Sequence, residues 1–417
     1  MIRRTFRRTF FLLFAFILFV SCRQSFVTAD GDKFIRNGKP YYYVGVNMWY
    51  APILASVGEG GDRVRLMHEL DFLQSIGVNN LRILVGADGE RGFKSRVEPT
   101  LQIAPNVYND TLLDGLDYLL AEMGRRNMLA VLYLNNAWEW SGGYSVYLQW
   151  AGYGTPPVPA IDGWAAYMDY VAQYVQCDSA QKLFANHVQF ILSRENRYTG
   201  VKYVDDPSIM AWQVGNEPRA FSEENKEAFA VWMAKVAAQI KSIDRNHLVT
   251  SGSEGKHGCE QDIAIFEKIH SDSNIDYLEV HIWPYNWGWI NKETYKDSLR
   301  YACEQTHKYL NEHREVAARL NKPLALGEFG YPRDSIQFSK TASVTARDEY
   351  YKYVFGLVAK RELAGCNIWG WGGYAELPQD HIFWQRGDDY VADPAQEEQG
   401  LNSVFVDDTS TVNILKL

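Results

Sequence analysis

Two short stretches of this chain run apolar residues straight into a carboxylate. In "SIMAWQVGNEPRAF" (Ser208 to Phe221) the run stops at Asn216 and Glu217, with Pro218 and Arg219 directly behind, and in "PLALGEFG" it stops at Glu328. A lone glutamate at a strand-to-loop turn is common in α/β proteins. Two in the same posture can divide labour, one carboxyl giving a proton while the other stays anionic. Close approach tunes such a pair, because like charges raise one pKa so that one group keeps its proton near neutrality. Cleavage of a glycosidic bond needs that division: an acid for the leaving oxygen, and a carboxylate to support or attack an oxocarbenium-like carbon.

The elements around them must bring the two glutamates to one place. Pro218 lacks a ladder donor and stops the strand that delivers Glu217. Eight apolar runs read as strands: Tyr42 to Trp49, Asn79 to Val85, Met128 to Asn135, Ile209 to Asn216, His247 to Ser253, Tyr277 to Trp283, Pro323 to Phe329 and Gly365 to Trp371. Between them lie segments with apolar spacings of three and four, such as "DRVRLMHELDFLQSIG" and "ENKEAFAVWMAKVAAQIKSID", which predict helices. Eight strands alternating with helices predict an α/β fold, a (β/α)8 TIM barrel with extended βα loops. Glu217 and Glu328 then top the fourth and seventh strands, on the face where barrels carry their sites.

The stretches Gly86 to Asn109, Asn136 to Gly163 and Pro284 to Asn291 are rich in Gly, Pro, Trp and Tyr and read as long loops around that face. No linker, repeat or low-complexity block divides residues 23–417, which are expected to form a single catalytic domain. The stretch from "GDDYVADPAQEEQG" to the end reads as a closing segment packed against the barrel, and "RQSFVTADGDKF" as a short lead into it.

Composition narrows the partners. The chain has 417 residues, 47% hydrophobic and 22% charged, with 13 Trp and 26 Tyr, more aromatics than an average core requires and a sign of a ligand that stacks. A net charge of -9 without a long basic run argues against nucleic acid. Arg3, Arg4, Arg7 and Arg8 precede an apolar run ending at Val20, so residues 1–22 read as an export signal. "VSC" with Cys22 resembles the lipobox of bacterial lipoproteins, which implies acylation of Cys22 and a lipid anchor at the cell surface or in the periplasm; a plain secretory signal is the alternative. Cys177, Cys259, Cys303 and Cys366 would remain, with three pairings open. No CxxC, GxSxG, Walker A or GxGxxG pattern occurs, and "HGCEQD" (His257 to Asp262) has no spaced partner cluster, so neither metal nor cofactor is expected.

Taken together, "WQVGNEPR", "LGEFG", "NNLRIL", "VHIWP" and "NIWGWGG" resemble glycoside hydrolase family 5, and more narrowly its β-1,4-mannanase branch. The resemblance implies Glu217 as acid/base and Glu328 as nucleophile of a retaining double displacement. It implies further that Asn216 binds the sugar 2-hydroxyl, that Arg82 keeps the nucleophile ionised, that Trp369 is the platform under the sugar and that Arg219 contacts the leaving-group side. His281 and Trp283 stand where the family commonly has His-x-Tyr, so an indole N–H replaces the phenol. Trp138 and Trp49 are further stacking candidates; Trp150 and Trp371 are weaker ones. The function so implied is endo-acting hydrolysis of β-1,4-mannosidic bonds in mannan, glucomannan or galactomannan, the substrate being a polysaccharide or oligosaccharide. An exo-acting β-mannosidase or mannobiose-releasing enzyme is the alternative if loops close one end of the groove. A non-catalytic glycan-binding lipoprotein is the alternative from another class.

Overall fold

The computed structural model describes residues 25–295 and 297–416; Cys22 and the rest of the expected export signal lie outside them. Eight parallel strands form the (β/α)8 barrel: β1 (Tyr43–Asn47), β2 (Asn80–Leu84), β3 (Leu129–Tyr133), β4 (Ile209–Gln213), β5 (Leu248–Thr250), β6 (Leu278–Ile282), β7 (Leu324–Phe329) and β8 (Gly365–Ile368). Every residue of these strands is buried, because helices cover the outer face and side chains fill the inner one. That is why the strands read as continuous rather than alternating apolar runs. The ladder runs from β6 through β7, β8, β1, β2, β3 and β4 to β5. Where β5 meets β6, Asp276 N–H donates to the Val249 carbonyl (2.8 Å), and Val249 N–H donates back to the Asp276 carboxylate (2.7 Å).

A principal helix follows each strand: α1 (Arg63–Ser75), α2 (Asp110–Arg125), α3 (Asp178–Leu192), α4 (Lys226–Ile243), α5 (Ile263–His270), α6 (Leu299–Leu320), α7 (Thr345–Ala359) and α8 (Thr409–Leu415), with shorter helices in some connections. Side chains cap several starts: Asp62 accepts from Arg65 N–H, Asn109 from Thr111 N–H and Asp262 from Ala264 N–H, each satisfying a donor the helix itself leaves free. Among the described residues no helix is long and apolar enough to cross a membrane.

Seven of the eight strands end earlier than the sequence predicts, by one to three residues at their carboxyl ends, and β7 ends at Phe329 as predicted. The chain there keeps single backbone bonds but bends away from regular pairing to aim side chains at the mouth. Two connections also differ. Asn136 to Gly163, expected as a loop, folds largely into one- and two-turn helices, among them Gly143–Leu148 and Pro159–Asp162. Its Gly and Pro residues divide a helical segment into short pieces rather than abolishing helix. The N-terminal lead is an antiparallel meander (Thr28–Asp30, Lys33–Arg36, Lys39–Tyr41). Its Phe34 packs edge-on against Tyr277, in an apolar cluster that includes Tyr43, Leu129 and Met210 from the strand starts and so plugs the bottom of the barrel. Cys177, Cys259, Cys303 and Cys366 are unpaired thiols.

Candidate active site

Glu217 owes its position to the backbone. β4 ends at Gln213, yet Val214, Asn216 and Glu217 keep donating, to the carbonyls of Thr250 (3.0 Å), Asn135 (2.8 Å) and Gly252 (3.0 Å). Neighbouring strands thus hold the chain after its own ladder stops. At Glu217 φ turns to +48°, a left-handed conformation uncommon for a residue with a Cβ, and Pro218 follows. Strain of this kind persists where surrounding contacts over-determine it, commonly at functional sites.

Glu328 is placed by irregular pairing. The β6 to β7 register shifts between Val280 and His281, so that His281 stands beside Glu328, and the β7 to β8 register shifts between Leu326 and Phe329. Bulges of this kind re-aim a side chain. The Gly327 carbonyl accepts from Asn47 Nδ2 (3.0 Å), which pins the displaced backbone.

The two glutamates come together as the sequence predicts for a facing pair. Carboxylate oxygens of Glu217 and Glu328 and a ring nitrogen of His281 lie within 4.8 Å of one another. Arg82 is wholly buried beneath them. It makes an ion pair through Nη1 with Glu328, donates from Nη2 to Asn216 Oδ1 (2.9 Å) and from Nε to Gln213 Oε1 (2.8 Å). His281 Nδ1 sits 2.9 Å from Glu217 Oε1 and 3.4 Å from Glu328 Oε2. Trp138 Nε1 donates to Glu217 Oε2. Burial pushes the Glu328 carboxyl up to about 7, with repulsion from Glu217 adding to it against the pull of His281 and Arg82. Burial also opposes ionisation of Glu217, but His281, Arg219 and the Trp138 N–H together hold it below the ordinary carboxylate value. His281 is raised to about 9, its burial outweighed by the Glu328, Glu217 and Glu279 carboxylates.

Above the carboxylates opens a cavity of about 560 Å³, with Trp138, Asn216, Glu217, Arg219, Trp283, Glu328 and Trp369 in its lining. Trp283 and Trp369 meet edge to face, centroids 6.0 Å apart. Trp283 makes no hydrogen bond to Glu328; Arg82 and His281 supply the polar contacts that an indole donor was expected to provide. Arg219 is not a solvated charge: its Nε donates to Glu254 (2.5 Å) and its guanidinium lies 5.0 Å from the Trp138 ring. Four of the residues expected at the site do not line the cavity. Arg82 and His281 are fully buried below the carboxylates, in contact with them rather than with the cavity. Trp49 lies behind the wall, its Nε1 donating to the Ala392 carbonyl (2.8 Å) and its ring edge-on to Trp140. Trp371 is likewise internal, donating to Glu69.

Several lining groups escaped the sequence reading. Trp140, Trp164 and Met168 come from the helical connection after β3, Trp287 from the one after β6, and Pro394, Glu397 and Asn402 from the C-terminal segment, which walls the site as well as packing on the barrel. The Trp-rich stretches Asn136 to Gly163 and Pro284 to Asn291 signalled Trp140 and Trp287 as a group, whereas Met168 and the C-terminal residues carried no such signal. Among the described residues, Glu217, His281 and Glu328 are the group near enough to share a cation, but the Arg82 guanidinium already occupies the place of positive charge beside them.

This geometry fits acid and nucleophile carboxylates under a stacking platform. A family model described as "GH family 5 beta-mannosidase-like" matches residues 24–417. Mannan endo-1,4-beta-mannosidase 7 of Arabidopsis thaliana is 29% identical over 406 residues, 94% of this chain and 84% of the relative. The crystal structure of a glycoside hydrolase family 5 mannosidase from Rhizomucor miehei superposes with a TM-score of 0.85 at 34% identity, over 94% of this chain and 96% of that one. A mutant of the same enzyme in complex with mannosyl-fructose matches with a TM-score of 0.86 at 33% identity, over 94% and 95%.

Proposed function

The chain belongs to glycoside hydrolase family 5, in its beta-mannosidase-like group, and is a glycoside hydrolase; from that membership we propose that it cleaves β-1,4-mannosidic bonds with retention, acting from chain ends on short oligosaccharides. The carrying observation is the closeness of the Glu217 and Glu328 oxygens, within 4.8 Å. Retaining pairs stand about 5 to 5.5 Å apart, whereas inverting pairs need about 6.5 to 9.5 Å to admit a water. In this reading Glu217 protonates the leaving oxygen, and Glu328, ion-paired with Arg82, attacks the anomeric carbon. Glu217 then takes a proton from the water that frees the sugar. Trp369 and Trp283 offer apolar faces to the pyranose.

Action from chain ends is supported by the shape of the cavity. At about 560 Å³ it falls within the range of small-ligand pockets, about 300 to 1,000 Å³, and Pro394 to Asn402 cross its rim, so a long polymer has little room to pass through. The mannosyl-fructose bound by the Rhizomucor miehei mannosidase mutant is a ligand of that size. A second reading, endo-acting cleavage of mannan, is favoured by the names of the plant relatives.

Product analysis decides between them. Mannose should be the first product from mannotriose and from linear mannan, initially as the β-anomer; a ladder of longer oligomers from mannan would leave the endo reading standing instead. Glu328→Ala should lower kcat/KM by about 10³-fold or more, and undiminished mannose release would remove the nucleophile assignment. We further propose that residues 23–417 act as one catalytic unit, exported and lipid-anchored at Cys22; incorporation of labelled palmitate that persists in Cys22→Ser would rule out the anchor.

A further inference from the structure

Beneath the catalytic pair lies a third carboxylate that the double displacement does not use. Glu279, two residues before His281 on β6, is 1% exposed. In a strand that spacing puts both side chains on one face, here the barrel interior. Glu279 Oε1 stands 3.3 Å from His281 Nε2, and its other oxygen accepts from Gln213 Nε2. Arg82 Nε lies 3.5 Å away. On the far side, a Cβ at position 327 would come within 1.8 Å of Glu279 Oε1, so Gly327 on β7 is what leaves room for the carboxylate.

The ring between them has an unusual set of neighbours. His281 Nε2 faces Glu279, and His281 Nδ1 faces both Glu217 and Glu328. A neutral imidazole carries one N–H and one lone pair, so with the carboxylates ionised one nitrogen would point its lone pair at an anion. Only the imidazolium donates on both sides. Other ionisable groups facing this cluster include Tyr43 from β1, Arg82 from β2, Tyr133 from β3, Arg219 after β4, Glu254 after β5, Tyr277 just before β6 and Glu397 from the C-terminal segment. His281, Arg219 and the Trp138 N–H hold Glu217 ionised in the free site, whereas the first chemical step requires a proton on it.

We propose that Glu279, His281 and Glu217 form a proton relay, in which imidazolium His281 stores the proton that Glu217 delivers to the glycosidic oxygen and Glu279 is the positioning residue that holds the ring. The proton on His281 Nδ1 moves to Glu217 Oε1, leaving a neutral ring whose Nε2–H still donates to Glu279. Glu217 passes that proton to the leaving oxygen as the glycosidic bond breaks and Glu328 bonds to the anomeric carbon. When water attacks the glycosyl-enzyme, Glu217 takes its proton and returns it to His281 Nδ1, so the cycle closes without net change. A value for His281 raised to about 9 accords with a store that is filled at neutral pH.

The relay rests on the retaining-mannosidase reading, and its tests separate from that reading. Glu279→Gln keeps the shape and removes the charge. Imidazole nitrogen NMR of His281, which needs no substrate, should show it titrating well below its wild-type value in Glu279→Gln; an unchanged titration overturns the relay. In kinetics, kcat/KM on mannobiose should fall at least about tenfold further than on 2,4-dinitrophenyl β-mannoside, whose leaving group needs no proton, because general-acid help is worth about 10²- to 10⁴-fold. The alkaline limb of the mannobiose profile should move to lower pH. Equal losses on the two substrates with an unmoved profile would mean that Glu279 is only structural. Wild-type enzyme inert toward both mannosides would count against the mannosidase reading, while the NMR titration would still decide the relay.

Discussion

At the scale of single residues, the site is an arrangement of charge more than of catalytic groups in isolation. Three buried carboxylates, Glu217, Glu279 and Glu328, share one interior with Arg82 and His281. Such groups titrate as a set, with limbs that belong to the set. The direction of each limb is set by the protonation state the reaction requires. In the proposed double displacement the nucleophile must be ionised, so activity should be lost as pH falls through about 7, where burial has raised Glu328. In the proposed relay the proton store must be filled, so activity should be lost as pH rises through about 9, where the carboxylates have raised His281. The expected result is a bell-shaped kcat/KM profile on mannobiose with its maximum between those limbs. A plateau continuing well below pH 7 would contradict the environment described for Glu328.

At the scale of elements, the chain ends its strands early and then holds the segments beyond them by single backbone bonds. Gly252, after β5, accepts from Glu217 N–H and has φ +75°. A Cβ there would come within 1.9 Å of the Gly215 carbonyl, so the strand extensions after β4 and β5 can lie side by side only with glycine at this point. Gly252→Ala should cost about 1 to 3 kcal/mol by the overpacking it forces, read from urea unfolding. It should also lower kcat more than it raises KM, because Glu217 moves with the backbone that carries it. A variant as stable and as active as the parent would show that the Glu217 turn does not depend on this contact.

At the scale of the molecule, the C-terminal segment is the piece that converts a barrel into a pocket. It is fastened by Asp408, whose carboxylate takes two hydrogen bonds from Arg333 (2.9 and 2.7 Å) and lies 3.0 Å from Arg347. Both arginines are fully buried. Removing one partner of a buried ion pair strands the other charge, at about 3 to 5 kcal/mol. Asp408→Ala should lose about that much in denaturant unfolding and should loosen Glu397 and Asn402 at the cavity rim, so that longer oligosaccharides become substrates. Unaltered stability would mean that the arginines find other partners.

Sequence alone determined the parts that depend on local order. Alternation of apolar runs and helical spacing specified the barrel, since periodicity is a property of neighbouring residues. Two apolar runs ending in Glu217 and Glu328 located the carboxylates, because a strand's end fixes where its next side chain stands. Tertiary structure decided the rest, where residues distant in the chain meet. That Trp49 is a strut and Trp140 a wall depends on the return of the C-terminal segment, some 340 residues after Trp49, and no local pattern records a contact of that separation. Glu279 was legible as the strand neighbour of His281, but the meaning of its charge was not. That meaning arises only where the barrel closes β4, β6 and β7 around one buried ring, and its three carboxylates must share the protons available to them.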